Sequence, residues 1–206
     1  MAKDNIKTKN RSIADFLYEV GTMRKIIRAH RQVLLTDDLS DSISSHSFRV
    51  TIIGWFLAKE EKADLYKTTM MCLLHDMEES RSNDHNWVHK KYVTVFDEEI
   101  DKEQLGSLPH PDLKNLIDEY RQRKTKEAIL AKDADLLDQI LLLREYEWQG
   151  NKEATIWLRG KSKEVKTGNA QLTRLKTDTA KKLGLAIYEK NPSDWWNNLW
   201  TSNNRK

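Results

Sequence analysis

Seven glycines and three prolines in 206 residues leave this chain few places to turn sharply. Sandwiches and barrels need frequent turn residues, and nucleotide-binding α/β folds need glycine at their phosphate loops; neither GxGxxG nor GxxxxGKS/T occurs. The apolar residues instead recur with a helical period. Ile13, Phe16, Leu17, Val20, Met23 and Ile27 mark one face of a first helix, with Ser12 as its N-cap. Val50, Ile53 and Leu57 indicate a second helix over about 44–62, and Leu65, Thr69, Cys72 and Leu73 a third over about 64–79. After a break at Pro109 and Pro111 comes a charged helix over 112–127, and then the most apolar one, 128–148, read as central and closed by Gly150. A further helix is expected over about 171–189. Strand signals are nearly lacking, so the expected class is all-α. The pattern is weakest over 1–10, 80–110 and 160–170, and a connection as long as 80–110 suggests a functional loop.

Composition narrows the setting. The balance of 38% hydrophobic and 33% charged residues is that of a globular protein with a solvated exterior. A chain this long buries roughly 70% of its unfolded surface, enough for one domain without staples. One cysteine, Cys72, excludes an internal disulfide and fits a reducing compartment. No run approaches ~18 apolar residues, and MAKDNIKTKNR lacks a signal-peptide core, so the expectation is a cytoplasmic protein with no membrane partner. The net charge of +3 sits mainly at the ends, on Lys3, Lys7, Lys9, Arg11, Arg205 and Lys206, and nucleic acid is not an expected partner. Residues 1–10 read as a flexible start, 11–190 as the domain, and 191–206 as a Trp-rich segment. There Pro192, Ser193 and Asp194 suggest a new helix start. Trp195, Trp196 and Trp200 are expected to pack on the domain or on the mate of a homodimer.

The chemistry-bearing residues are few. His46 opens the second helix, His75 and Asp76 sit together near the end of the third, and Asp135 lies within the central helix. A His–Asp pair capping the apolar run Met70–Leu74 is costly to bury without a partner. Adjacent helical residues point ~100° apart, so the pair can share one ion only where the helix ends or bends. Two His and two Asp give a mixed nitrogen and oxygen shell suited to Mn²⁺, Co²⁺, Fe²⁺, Ni²⁺ or Zn²⁺, with positions left for water and substrate. Taken singly, His46 could be a cap or surface residue and Asp135 a solvated acid, with Asp133 and Asp138 showing that this helix tolerates acids. The ordered set, with His75 following His46 by 29 residues and Asp135 following Asp76 by 59, is more specific.

On that order, H…HD…D, residues 13–150 resemble the HD-domain metal-dependent phosphohydrolases, and most closely the branch of small 5′-deoxynucleotidases. HDMEESRSND supplies the branch's acids, Glu79 three residues after Asp76 and Asp84 five beyond that; Arg28, 18 residues before His46, matches its phosphate-orienting arginine. The resemblance implies a single helical bundle with extra C-terminal helices and one divalent ion, from Co²⁺, Mn²⁺, Mg²⁺, Fe²⁺, Ni²⁺ or Zn²⁺, on His46, His75, Asp76 and Asp135. The implied activity is release of phosphate from 5′-deoxyribonucleoside monophosphates. Three departures touch substrate contacts: RAHRQ replaces the branch's Trp-containing segment, Ser45 its acid before the first His, and SRSNDHNWVHKKY its Gly-containing loop.

In the implied mechanism Glu79 orients or deprotonates a water, Arg28 neutralises charge on the phosphoryl oxygens, and Asp84 accepts from a sugar hydroxyl. His85, Asn86 and Trp87 extend the substrate wall from Asp84. Arg24, Lys25 and Arg31 are alternative phosphate contacts, and His89 a less specific one. Cys72, on an apolar face, is expected only to pack. Asp135 rather than Asp133 is the expected ligand, and Asp133→Asn is expected to be mild. Two other readings stay open: a triphosphohydrolase on nucleoside triphosphates, and a non-catalytic nucleotide-binding regulator.

Overall fold

The computed structural model describes residues 2–160, 170–197 and 199, with side chains from residue 8 onward. Trp200, Arg205, Lys206, most of 160–170, and the side chains of Lys3 and Lys7 lie outside the described residues. Ten α-helices are formed among them: α1 Ala2–Val20, α2 His30–Leu34, α3 Ile43–Glu61, α4 Leu65–Leu74, α5 Glu79–Ser82, α6 Asp97–Leu105, α7 Asp112–Gln122, α8 Lys126–Trp148, α9 Lys152–Arg159 and α10 Asp178–Glu189. Among the described residues the extended pairing is limited to one isolated bridge, Ile27 to Ser42. The all-α expectation holds.

α8 is the axis of the bundle. Leu130, Ala131, Ala134, Leu137, Ile140 and Leu143 are fully buried on it, and it packs against α3, α4, α7, α9 and α10. A helix buried on nearly every side must be central, because almost no face is left for water. Gly54 on α3 lets the neighbours close in: a methyl group there would overlap Cys72 Sγ on α4 and touch Ala134 on α8. The three elements that lead to His46, His75 and Asp135 therefore meet where their side chains are smallest.

Capping fixes the helix starts. Ser42 accepts from Ser45 N at 3.2 Å while Ser45 Oγ accepts from Ser42 N at 2.9 Å, a reciprocal box that starts α3 one turn before His46. This is what the serine in front of His46 does. Asp64 caps α4 through Lys67 N at 3.0 Å, and Thr125 caps α8 through Ala128 N at 3.3 Å.

Several expectations are corrected. Ser12 does not cap α1; it lies inside the helix, and its hydroxyl donates to Thr8 O at 3.3 Å, the i−4 bond open to a mid-helix serine. The third helix stops at Leu74 rather than Glu79, with His75 to Glu78 in turns. The 80–110 connection contains α6 and a 3₁₀ turn at His89–Lys91. α9 had no counterpart in the apolar pattern, being only 8 residues long. Asp133 is fully buried on α8 and accepts from Lys176 N, Thr177 N and Thr177 Oγ1 at 2.7–2.9 Å, so it ties α8 to the start of α10 and is no spare acid. A 3₁₀ turn does begin after Pro192, at Asp194–Trp196, where Trp195 is 72% exposed and meets Trp196 edge-on.

Candidate metal centre and its cavity

His46 lies on the first turn of α3 after its cap, with its ring buried. His46 Nδ1 is 2.6 Å from Asp138 Oδ2, leaving Nε2 as the inward-facing nitrogen. His75 is the C-cap of α4, and its Nδ1 is 2.8 Å from Cys72 O. A carbonyl only accepts, so His75 carries its proton on Nδ1 and offers the lone pair of Nε2. The end of α4 also frees Asp76 to turn to the side of its neighbour, as sharing one ion requires.

These groups converge. The two Nε2 atoms are 3.1 Å apart. Asp76 Oδ2 lies 3.4 Å from His46 Nε2 and 3.1 Å from His75 Nε2, and Asp135 Oδ1 lies 3.4 and 3.8 Å from the same atoms. Donors 2.0–2.2 Å from a common ion stand about 2.8–3.6 Å apart at octahedral or tetrahedral angles, close to the 3.1–3.8 Å seen here, so the donor set fits one divalent cation. His46, His75 and Asp135 alone place their ligand atoms within 4.8 Å of one another.

The electrostatics have the same character. Burial and the charge of Arg28 work to lower the pKa of His46, yet its bonds to Asp135, Asp138 and Asp76 hold it well above its ordinary value. Burial opposes ionisation of Asp135, but Lys132 at 2.5 Å and the two histidines hold its carboxyl well below the usual range. Buried acids here draw positive charge to themselves, which is the demand a cation meets.

A cavity of about 410 Å³ opens on this cluster. Asp76, Asp135, Glu79 and Arg28 line it together with Asp84, His85, Asn86 and Trp87, so the phosphate-orienting arginine and the whole substrate wall expected from the sequence reach it. Arg28 follows a 3₁₀ turn rather than a helix end, and its segment is clamped to the start of α3 by Arg28 N to Asp41 O at 2.9 Å and Ile43 N to Ile26 O at 3.0 Å. The guanidinium is buried, 3.7 Å from Asp41 and 3.6 Å from Asp138, and its Nη1 has no hydrogen-bond partner among the described residues. Glu79 begins α5 with Oε2 buried and unpartnered. Burial, Asp76 and Asp84 push its carboxyl up to about 10.

The others differ in how free they are. Asp84 Oδ2 accepts from Ala29 N at 2.6 Å, anchoring the residue after Arg28. Asn86 spends its amide on the protein: Nδ2 donates to Ala29 O and Gln32 Oε1, and Oδ1 accepts from Val88 N and His89 N. It is a loop organiser whose flank reaches the cavity. Trp87 is exposed, and His85 stands edge-on to His89, which faces away from this cavity into a neighbouring groove. Arg24 and Lys25 are exposed and do not line the cavity, nor does Arg31. Sequence reasoning missed Lys132, Asp138, His30, Trp157 and Arg174. Asp138 had a signal, one turn from Asp135 on the same helical face; the last two come from segments with little pattern.

A family model described as HD domain matches residues 20–174. The chain belongs to the HD domain family. This HD domain is similar to the 5′-deoxynucleotidase HDDC2 of Dictyostelium discoideum, 32% identical over 125 residues, and covers 54% of its own length and 66%, just under two thirds, of that relative. Human HDDC2 is 27% identical over 146 residues, with 66% of this chain and 69% of the relative covered. Among solved structures, a conserved hypothetical protein from Pyrococcus furiosus superposes with a TM-score of 0.66 at 25% identity, over 85% of this chain and 97% of that one. A protein from Magnetospirillum magnetotacticum, named as a predicted metal-dependent phosphohydrolase, shares the fold with a TM-score of 0.62 at 23% identity, over 88% and 92%. No helix among the described residues is long and apolar enough to cross a membrane.

Proposed function

We propose that this HD domain is a metal-dependent phosphohydrolase that releases phosphate from 5′-deoxyribonucleoside monophosphates. The observation that carries the reading is Arg28: a buried guanidinium whose Nη1, flanked by Asp41 at 3.7 Å and Asp138 at 3.6 Å, makes no hydrogen bond among the described residues, on the wall of the cavity lined also by Asp76, Asp135, Glu79 and Asp84. A cation of that kind is suited to a phosphate dianion. The names of the HDDC2 relatives support the same substrate class.

His46, His75, Asp76 and Asp135 would hold the ion, which when bound lowers the pKa of a water and polarises a phosphoryl oxygen. Glu79 takes the water's proton. Its raised pKa falls beside a bound cation, because positive charge favours the ionised carboxylate, so its competence as a base is tied to the ion. Arg28 compensates charge on the phosphoryl oxygens, fixed in place before the substrate arrives. Asp84 holds the Arg28 segment through Ala29 N and has a second oxygen for a sugar hydroxyl. A cavity of about 410 Å³ falls at the lower end of the roughly 300–1,000 Å³ typical of small-molecule sites, which favours one monophosphate over a triphosphate.

We also carry a homodimer in this proposal. Phe48, Ile52, Trp55 and Phe56 form an exposed stripe at i, i+4, i+7 and i+8 on α3, which supports self-association and is checked by light scattering.

The test is a phosphate-release screen of nucleoside mono-, di- and triphosphates with Mn²⁺, Co²⁺, Mg²⁺ and Zn²⁺ and an EDTA control. Orthophosphate from deoxynucleoside monophosphates, lost with EDTA, is the expected result. Triphosphate or pyrophosphate release with monophosphates untouched would replace the nucleotidase by a triphosphohydrolase, and binding without turnover would make the protein a regulator.

A further inference from the structure

One turn beyond Asp135 on α8, the cavity wall changes character. Gln139 lies four residues on, about 6 Å along the helix axis, and shares the wall with His30, Trp157, Gln171 and Arg174. Arg174 Nη1 donates to Gln139 Oε1 at 2.9 Å and to Gln171 Oε1 at 2.8 Å. Gln171 Nε2 donates to Trp157 O at 2.8 Å, and the Trp157 ring stands edge-on to His30 with centroids 5.6 Å apart.

Proton directions along this wall follow from Arg174, which can only donate. Gln139 must turn its oxygen to Arg174 and its NH₂ to His30, 3.3 Å from Nε2. His30 Nε2 then accepts, and the ring proton resides on Nδ1, which has no partner among the described residues. Burial and the charge of Arg28 lower the His30 pKa to about 4, which keeps the ring neutral and this tautomer in place. Both amide oxygens are already bonded to Arg174. The wall thus presents the part-buried indole of Trp157 and the remaining guanidinium nitrogens of the exposed Arg174, while the His30 Nδ1–H is buried and reaches a ligand only if its side chain shifts.

We infer that this wall is a nucleobase subsite selective for bases with a carbonyl oxygen at C4 of a pyrimidine or C6 of a purine, thymine, uracil or guanine, over bases with an amine at that position, cytosine or adenine. Trp157 supplies the stacking surface. The donor groups pair with O4 or O6, whereas an amine directed at them would leave donors facing donors. The position fits a 5′-nucleotide, whose sugar separates the base from the phosphate. The inference rests on the nucleotidase reading.

The experiment compares kcat/KM for thymidine 5′-monophosphate, 2′-deoxyadenosine 5′-monophosphate and the base-free 2-deoxyribose 5-phosphate, in the metal-loaded wild type, Arg174→Ala, Trp157→Leu and Trp157→Phe. Arg174 is exposed, so its removal spares the core. The wild type is expected to favour thymidine over deoxyadenosine monophosphate by about tenfold, the size of one or two hydrogen bonds. Arg174→Ala should bring that ratio close to one, mainly through KM. Trp157→Leu should lower the ratio of either nucleotide to the base-free ester about tenfold, with Trp157→Phe restoring most of it. If the wild type cleaves nucleotides but all three esters fall in parallel in the variants, or none changes, the subsite is wrong and the nucleotidase stands. If the wild type cleaves the base-free ester and no nucleotide, the nucleotidase reading falls and the subsite with it.

Discussion

His46 on α3 and Asp138 on α8 are joined by a 2.6 Å contact between Nδ1 and Oδ2, with both side chains buried. The contact fixes which imidazole nitrogen faces the candidate metal site. Asp138 is itself held by Arg49 Nε at 2.5 Å, and Arg49 by Glu145 at 2.6 Å, so the orientation of that nitrogen is set by a chain of charges running out to the surface of α8. Carboxylates behind ligating histidines raise the basicity of the ring and restrict its rotation.

Asp138→Asn should therefore weaken binding of Mn²⁺ or Co²⁺ by about 10–100-fold, and turnover with it at limiting metal. Titration calorimetry measures the first and steady-state kinetics the second. Asp138→Glu, which keeps the charge, should recover part of the affinity. Wild-type affinity in Asp138→Asn would show that the contact is only packing.

The two acids of the KDAD segment should separate chemistry from stability. Asp135→Asn removes a donor from the cluster and should abolish turnover with the melting temperature near wild type. Asp133→Asn breaks a three-bond anchor to the start of α10, and losing buried acceptors of this kind costs about 1–3 kcal/mol. It should melt several degrees lower while the folded fraction keeps a normal kcat/KM. Differential scanning calorimetry beside kinetics decides it, and the opposite assignment of the two losses would overturn it.

These two acids also show where sequence patterns inform and where they stop. Asp135 was identifiable because it completes an ordered ligand set on an apolar helix, and order survives in one dimension. The second role of each neighbour was not. Asp133 meets Thr177, 44 positions away, and Asp138 meets His46, 92 positions away, and no local periodicity encodes such pairs. The helices α3 and α4 were visible because apolar residues recur along them with a helical spacing, and α8 because it is a long unbroken segment rich in apolar residues. Ser12 was misread as a cap because serine bonds the backbone both at a helix start and within it. The wall built from Trp157 and Arg174 was invisible because α9 and the turn before α10 are too short to show a period.

Glu147 should contribute to the acid limb of stability. Burial alone would raise its carboxyl, but Arg159 Nε at 2.6 Å and a close contact from Arg144 outweigh that and hold it below the ordinary value. A carboxyl held low in the folded state stabilises fully above its unfolded pKa of about 4.3, and that contribution disappears as pH falls through the folded value. Glu147→Gln should melt below wild type at pH 7, with the gap narrowing once the pH drops below about 4. Melting curves from pH 7 to pH 3 check this, and a gap that stays constant across the range would mean the charge is irrelevant.

Arg28 gives the sharpest kinetic test of the site. Its guanidinium is held by Asp41 and Asp138 and its backbone by Asp41 O and, through Ala29, by Asp84, so little reorganisation is left for the moment of reaction. The flanking acids, opposed by burial, keep it charged at any accessible pH. A fixed charge of this kind binds the phosphate in the ground state, but binds more strongly when charge shifts onto the bridging oxygen and the equatorial oxygens. Arg28→Ala should thus lower kcat and kcat/KM together by ~10²-fold or more, and Arg28→Lys, a point charge without the planar fork, should recover only part of the loss. Because Asp138 faces both Arg28 and His46, metal affinity must be measured in the same variants; a loss of activity fully explained by weaker metal binding would move Arg28 from substrate to scaffold. A rise in KM with kcat unchanged would leave it holding the substrate without helping the transition state.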